Sequence, residues 1–428
     1  MSSVTEYPRG TCVLGGVNAT LSAIKRVCTI YHSGPGCCMQ TTAGEGQQAG
    51  LLTPYYLSAV SSPCSNMLER EVVFGGEEKL RDEIDGSIEI IEADAYFVLT
   101  GCTAGIIGDD VEAVTADYSK KGLPVYPVTT PGFAGDSLLG YEVAFQALFD
   151  FIIDKNPKRD ETLVNLIGII PYHDVFWTGT FEELTRILHK LGLRVNTFFT
   201  DNQGIEQVKT ASCAALNIII DPWRLKGFAQ KMEETYNIPS IRFPGAPTGA
   251  TQTGAFVRGV GKALNLDETL LESVIREGEA YVYDYYESII GILSWKRFAV
   301  VGGAGTAIAM TKFLANDCSF TPVLTIVTEP IWRDSDRKYI TEQIQGLEYA
   351  KAPDVFFLPD HYDVRQKIKE YDGVTLLAGS SLEQETALEI DAQHYAVSFP
   401  ISDRLILNRT YAGYRGALTV IEDLYNNL

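Results

Sequence analysis

The 428-residue chain has no run of about 18 uninterrupted apolar residues, so no membrane-spanning helix is expected. Its first residues, Met-Ser-Ser-Val-Thr-Glu-Tyr-Pro, lack the basic-then-apolar order of a secretory leader, and a cytoplasmic location is the expectation. Basic residues are in deficit. The 35 Lys and Arg against 55 Asp and Glu leave a net charge of −20. That balance argues against nucleic acid as a partner, because a phosphate backbone demands a basic footprint, and it favours a protein or small-molecule partner. Low-complexity tracts and internal repeats are missing. So are Walker-type phosphate loops, nucleophilic triads and any Cys-x-x-Cys pair. Histidine is sparse: His32, His173, His189, His361 and His394 are scattered without a ligand-like pair, and a satisfied polar contact is the expected role of each.

What is present reads as α/β. The length exceeds what one hydrophobic core supports, and the hydrophobic share of 46% is that of an ordinary globular chain. Strand-like and helix-like segments alternate in three blocks: three tandem Rossmann-like domains with parallel sheets flanked by helices, at residues 1–160, 161–293 and 294–428. In the first block, strands are expected at Ile24–Ile30, Asp94–Thr100 and Pro124–Thr129. Helices are expected at Asp109–Tyr118 and Ser137–Ile153, and the polar, Pro-broken Asp154–Asp160 reads as a linker. Later come a Gly-, Pro- and Thr-rich loop at Pro244–Gly254, a long helix with one break at Leu266–Leu293, and a last helix near Gly413–Leu424.

The stretch that organises the chain is Tyr31–Cys38, Tyr-His-Ser-Gly-Pro-Gly-Cys-Cys. It follows a buried strand and sets a cysteine at a helix entrance. Cys64 (Ser-Ser-Pro-Cys-Ser) and Cys102 (Leu-Thr-Gly-Cys-Thr-Ala-Gly) sit in similar turns beside Pro or Gly, so all three thiols could converge at one end of a parallel sheet. Eight cysteines in a chain read as cytosolic are not expected to form a disulfide framework. Two readings of Cys37, Cys64 and Cys102 stand side by side: small buried hydrophobes, or ligands of iron or zinc. Three ligands are one short of the four that a cubane Fe–S cluster takes, so as a metal site the trio is a half-site that a second chain completes. Adjacent residues point in different directions, which keeps Cys38 from binding one cluster in the same mode as Cys37. Cys12, Cys28, Cys213 and Cys318 lie in more apolar or strand-like settings and are expected to be structural.

Gly302-Gly303-Ala304-Gly305 after the strand Arg297–Val301 could seat a dinucleotide, with Glu329 accepting from a ribose hydroxyl. Against this, the third position of Gly-x-Gly-x-x-Gly is Ile308, where close helix–strand packing wants a small residue. A structural role is the expectation.

With these residues in view the chain resembles component 1 of nitrogenase, more its β-type subunit and cofactor-scaffold paralogue than its α-type. The resemblance rests on Tyr31–Cys37, on Cys64-Ser65-Asn66-Met67 with Val73-Phe74-Gly75-Gly76, and on Gly101-Cys102 through Ile107-Gly108-Asp109-Asp110. It extends to Leu216-Asn217 with Pro222-Trp223, and to Phe399–Arg404 with Gly413–Ala417. It implies three α/β domains and an α-type component 1 partner, commonly in an α2β2 assembly. It further implies an Fe–S cluster (an 8Fe–7S P-cluster, or 4Fe–4S) held between the chains, with Cys37, Cys64 and Cys102 as its ligands on this side. An ATP-dependent Fe protein would deliver electrons, and the substrate-reducing cofactor would lie in the partner. Two departures qualify it. The family's serine that joins the oxidised P-cluster aligns with Gly132, and the chain is short for a nitrogenase β subunit. Both move the expectation toward a nitrogenase-like reductase, for instance one acting on carbon–sulfur bonds. A non-catalytic scaffold for metallocofactor assembly and a metal-free small-molecule binder are the alternatives, and a second copy of this chain is an alternative partner. Neither the substrate nor the cluster type is legible.

Overall fold

The computed structural model describes residues 9–46, 48–50, 62–200, 202–287, 289, 291 and 295–426. Its strands form three all-parallel sheets. The first contains β1 (Val27–His32), β2 (Ala95–Thr100) and β3 (Val125–Val128) in that order. The second has the order β5–β4–β6–β7, with β4 at Asp160–Ile167, β5 at Arg194–Asn196, β6 at Ala214–Ile220 and β7 at Ser240–Phe243. The third contains β8 (Arg297–Gly302), β9 (Thr321–Val327), β10 (Asp354–Phe357), β11 (Leu376–Gly379) and β12 (Gln393–Ala396), ordered β10–β9–β8–β11–β12. This is the mixed α/β, parallel-sheet architecture that the alternating pattern predicts.

Alternation of side chains explains how the first sheet is buried on both faces. Cys28 and Ile30 of β1, with Tyr96 and Val98 of β2, pack against Leu80 and Ile84 on one side chain layer and Val111, Val114 and Tyr118 beside it. Val27 and Tyr31, with Phe97 and Leu99, face the main core. That core includes α1 (Val13–Ser22) and, beyond α2 (Pro35–Gly46), α3 (Glu69–Phe74), α4 (Glu77–Ile90), α5 (Cys102–Ile107) and α6 (Val111–Ser119), the helix α7 (Ser137–Phe151). Helices α1 and α7 touch backbone to backbone. A Cβ on Gly16 would lie 1.9 Å from the Ser137 carbonyl oxygen, and one on Gly140 would lie 2.5 Å from that of Val13. Glycine at both positions therefore sets the distance between the two helices, and with it the distance between the segments that precede them.

Some element limits differ from the sequence reading. The segment Asp154–Asp160 ends inside β4. The Gly- and Thr-rich stretch after Pro244 is a loop only to Thr248, after which Gly249–Ala263 is helical, because its apolar residues Ala250, Phe256, Val257 and Val260 recur at helical spacing and are buried. The long helix runs Glu268–Tyr286, and its expected end at 292–293 lies outside the described residues. Among the described residues no helix is long and apolar enough to cross a membrane.

Candidate functional site: a thiol cluster at three helix entrances

Cys37 is the third residue of α2, which begins at Pro35. Proline suits that first position because its φ is preset and its missing N–H would have no partner there. Cys102 opens α5 directly after Gly101, whose N–H donates to the His32 carbonyl at 2.9 Å and ties the ends of β1 and β2 together. Cys12 immediately precedes α1 and bridges to Asp136, just ahead of α7. Between these lies Gly132: a Cβ there would stand 3.0 Å from the Cys12 Sγ and 3.1 Å from the Cys102 Sγ. The Cys37 thiol is pushed up by burial and then by the neighbouring Cys102, Cys12 and Cys64 thiols. Cys12 and Cys102 thus meet across Gly132 at two helix entrances, and Cys37, at a third, feels both; backbone N–H groups at such entrances favour negative charge.

The sequence reading expected Cys12 to be structural, yet it is the third member of this cluster. Its setting satisfied the same test applied to Cys37 and Cys102, a cysteine near glycine (Gly10) at the start of a helix. What it lacked was a strand ahead of it.

Cys64 does not stand at a helix entrance. Its segment runs alongside β1, with the Tyr31 N–H donating to the Pro63 carbonyl and the Ser65 N–H donating to that of Tyr31, both at 2.8 Å. The Cys64 Sγ accepts from the Asn66 N–H at 3.4 Å and lies 3.5 Å from the Ser33 carbonyl oxygen, while the Cys38 thiol donates to the Ser62 carbonyl at 3.4 Å. The Cys38 thiol is pushed up, by Cys64 first and then by burial, and the Cys64 thiol is held down at about 6, by Cys38 first and then by Asn66 and Ser33, with burial opposing. Cys37 feels Cys102, Cys12 and then Cys64, and Cys38 feels Cys64 most. Cys28 and Cys318 are buried core thiols. Among the described residues no group of three or more His, Cys, Asp or Glu side chains is placed to hold a single metal ion.

The motif residues around the thiols are joined by one buried imidazole. His32 Nδ1 lies 3.0 Å from Ser65 Oγ, and its Nε2 lies 2.8 Å from Asp109 Oδ2. Asp109 also accepts from the Gly76 N–H at 3.0 Å. Burial lowers the His32 pKa, with Asp109 opposing. His32 therefore has the satisfied polar role expected of it, and it fastens the Cys37, Cys64 and Cys102 segments to one another.

A second set of contacts holds the short strap that carries Cys12. The Thr11 N–H donates to Glu45 of α2 at 3.0 Å. Glu45 Oε2 faces His173 Nε2 at 3.1 Å, and the same nitrogen is 2.7 Å from Ser137 Oγ. Burial alone would raise Glu45, but His173 and Thr11 hold it low; burial alone would lower His173, but Glu45 holds it up. The Glu45 contribution to stability is present above its ordinary 4.5 and is lost as pH falls through its lowered value. The His173 contribution is present below its ordinary 6.5 and is lost as pH rises through its raised value. Thermal melts of Glu45→Gln against the native chain are expected to differ most between pH 4.5 and 6.5. The gap should narrow at higher pH; a gap that widens toward pH 9 contradicts the pairing.

The glycine loop at 302–305 lies apart from the thiols. The Ala304 N–H at the start of helix Ala304–Lys312 donates to Glu329 Oε2 at 3.2 Å. Arg224 forks onto the same carboxylate at 3.0 and 2.8 Å, and Trp223 Nε1 reaches it at 3.2 Å. A carboxylate fills the place where a pyrophosphate would lie, and Glu329 is engaged in a buried ion pair. The loop is structural. It borders a cavity of about 270 Å³ where the three sheets meet, lined by Ser137, His173, Asp174, Asp221 and Arg224 among others, with no thiol.

Fold and site together define a three-sheet parallel α/β protein with a thiol cluster at one end of its first sheet. The chain belongs to the nitrogenase component 1 type oxidoreductase family, whose model matches residues 12–428. It is similar to the nitrogenase iron-molybdenum cofactor biosynthesis protein NifE of Clostridium pasteurianum, 29% identical over 71% of this chain and 65% of that protein. The NifE of Bradyrhizobium diazoefficiens is 24% identical over 98% and 74%. The nitrogenase molybdenum-iron protein alpha chain of C. pasteurianum is 30% identical over 55% of this chain and 44% of that one. The matched stretch thus spans just under two thirds of the first of these relatives. They include an alpha chain, so the likeness extends beyond the β-type chains from which the motifs were read. In three dimensions the chain matches a nitrogenase Cp1 structure with a TM-score of 0.80, 19% identity, and coverage of 100% of this chain and 94% of that one, which establishes the fold.

Proposed function

We propose that the chain is one subunit of a component 1-type complex, that Cys12, Cys37 and Cys102 hold its half of an Fe–S cluster, and that the complex serves as a scaffold for nitrogenase-type metallocofactor assembly. The observation that carries the site is the placement of the Cys12 and Cys102 thiols about Gly132, with Cys37 close enough to both to feel their charge. Three thiolates this close repel one another, and a cationic iron centre relieves that cost while favouring deprotonation. The donor set fits: thiolates are the usual ligands of iron–sulfur clusters, and three of them leave the remaining positions to a partner chain. When bound, such a cluster supplies one-electron transfer. The chain's own residues position it through the helix entrances and the His32 and Glu45 contacts. Gly132 offers no side-chain oxygen, so no ligand of the serine kind comes from that position. We favour this set over the Cys37, Cys64 and Cys102 trio because Cys12 shares the Gly132 gap with Cys102, whereas the Cys64 segment runs alongside β1.

A partner is supported by the rim of the cluster. Met39, two residues after Cys37, Ile106, four after Cys102, and Phe133, next to Gly132, are 74%, 73% and 67% exposed, and large exposed apolar side chains beside a site suit an interaction surface. The partner is read as a second component 1-type chain in an α2β2 assembly, with an ATP-dependent Fe protein as the transient electron donor. The scaffold reading draws on the relatives named for cofactor biosynthesis. The competing reading is a relay subunit of a nitrogenase-like reductase acting on a substrate bound in the partner. The thiol-free central cavity suits both, since neither asks this chain to hold the substrate-reducing cofactor. The complex purified without oxygen is expected to contain iron and sulfide, yet to show no sustained reduction with Fe protein and ATP. Many turnovers of proton or substrate reduction would replace the scaffold reading with the relay.

A further inference from the structure

The central cavity of about 270 Å³ has no part in the thiol cluster. It lies where parallel sheets take their ligands, beyond the carboxyl ends of the strands: Asp174 follows β4, Asp221 follows β6 directly, and Gly303 and Gly305 follow β8. A smaller, mainly apolar recess of about 60 Å³ adjoins it, walled by Ile169, Phe176, Ala309, Met310 and Val397. Asp174, Asp221 and Gly305 line both spaces, so the two carboxyl groups stand where the polar cavity meets the apolar recess.

Charge around the cavity does not balance. Arg9 is engaged by Glu383 and His173 by Glu45. Arg224 gives Nε and Nη2 to Glu329, and its remaining Nη1 stays 3.5 Å from Asp221 Oδ2, longer than a good hydrogen bond. Asp221 is 3% exposed, and its Oδ1 has no hydrogen-bond partner among the described residues. A Cβ on Gly305 would stand 2.1 Å from that oxygen, so the glycine makes room for it at a wall shared by both spaces. The Asp174 side chain accepts from the Ile170 N–H on Oδ2. A buried carboxylate short of donors is costly. Two of them beside an apolar recess suit an occupant that is positive at one end and apolar at the other. We propose that this cavity binds a small aliphatic primary ammonium compound, its nitrogen held by Asp174 and Asp221 and its alkyl end in the recess. A primary ammonium has three donors and no acceptor, which matches open carboxylate oxygens. An anion lacks that match, because each guanidinium at the cavity already faces a carboxylate. The site uses none of the thiols and does not depend on the cluster.

Calorimetric titration of the full complex with n-butylammonium chloride tests the proposal, with sodium butyrate and sodium chloride as controls. The expected result is saturable binding of n-butylammonium and none of butyrate or sodium, together with a melting midpoint that rises with the amine. Asp221→Asn and Asp174→Asn should each weaken the affinity by about tenfold or more. Asparagine tolerates the left-handed backbone that Asp221 adopts at φ 62°, so Asp221→Asn is expected to fold, and its melt without ligand checks that. Absence of saturable binding to the native complex, equal binding of butyrate, or native affinity in either asparagine variant would each overturn the proposal.

Discussion

Gly132→Val is expected to reduce the iron retained by the complex to below a tenth of the native content, while the chain keeps its helix and strand content. The first added carbon already stands 3.0 Å from the Cys12 sulfur and 3.1 Å from that of Cys102, closer than carbon and sulfur pack. The two further methyl groups occupy the space between the thiols. One thiol or both must turn away, and a cluster held by fewer ligands is lost. Gly132 does not have a left-handed backbone, so the substitution adds no backbone strain and the effect is confined to the site. Gly132→Ala, with one carbon, should lie between. Iron and sulfide assays on anaerobically purified complex, with circular dichroism as the fold control, measure it. A Val variant with full iron would show that Cys12 and Cys102 do not bind the same cluster.

Arg9→Ala is expected to cost about 3–5 kcal/mol of stability at neutral pH, the range for breaking a buried ion pair from one side. The Arg9 guanidinium donates to Glu383 at 2.5 Å and to Ser380 Oγ at 3.1 Å, and the Glu383 side chain is fully buried. Burial alone would raise the Glu383 carboxyl, but Arg9, His361 and Ser380 together hold it down at about 2. Its folded pKa is depressed, so the stabilisation is present above the ordinary 4.5 and is lost as pH falls toward about 2. That shift corresponds to about 3 kcal/mol. Denaturation of the native chain should therefore weaken by that order between pH 5 and pH 2, and the Arg9→Ala variant should lack most of the dependence. A variant as stable as the native chain at pH 7 contradicts the account. Because Arg9 anchors the strap bearing Cys12, the same variant should also hold iron less tightly.

The parallel α/β class was legible because β1, β2 and β6 are rich in apolar residues, buried throughout, and stand between amphipathic helices. Cys37 and Cys102 were legible for a local reason: each sits where a strand of the first sheet ends beside glycine. The place of Cys12 beside Cys102 and the surroundings of Cys64 were not legible, for a non-local reason. Cys12 reaches the site through the close approach of α1 and α7 at Gly16 and Gly140, which no window around residue 12 reveals. Cys64 shares the Pro-flanked look of a ligand turn, but its segment pairs with β1 and its thiol reaches the Ser33 carbonyl. Glu329 shows the same limit. Its spacing from the glycine loop suggested a ribose contact, whereas Arg224 from another sheet engages it.

The central claim is that the half-site consists of Cys12, Cys37 and Cys102, and iron content separates it from the trio read off the sequence. The measurement is iron per complex, purified without oxygen, for Cys12→Ala beside Cys64→Ala. The account predicts loss of most cluster iron in Cys12→Ala and native content in Cys64→Ala. Native iron in Cys12→Ala with loss in Cys64→Ala would contradict it.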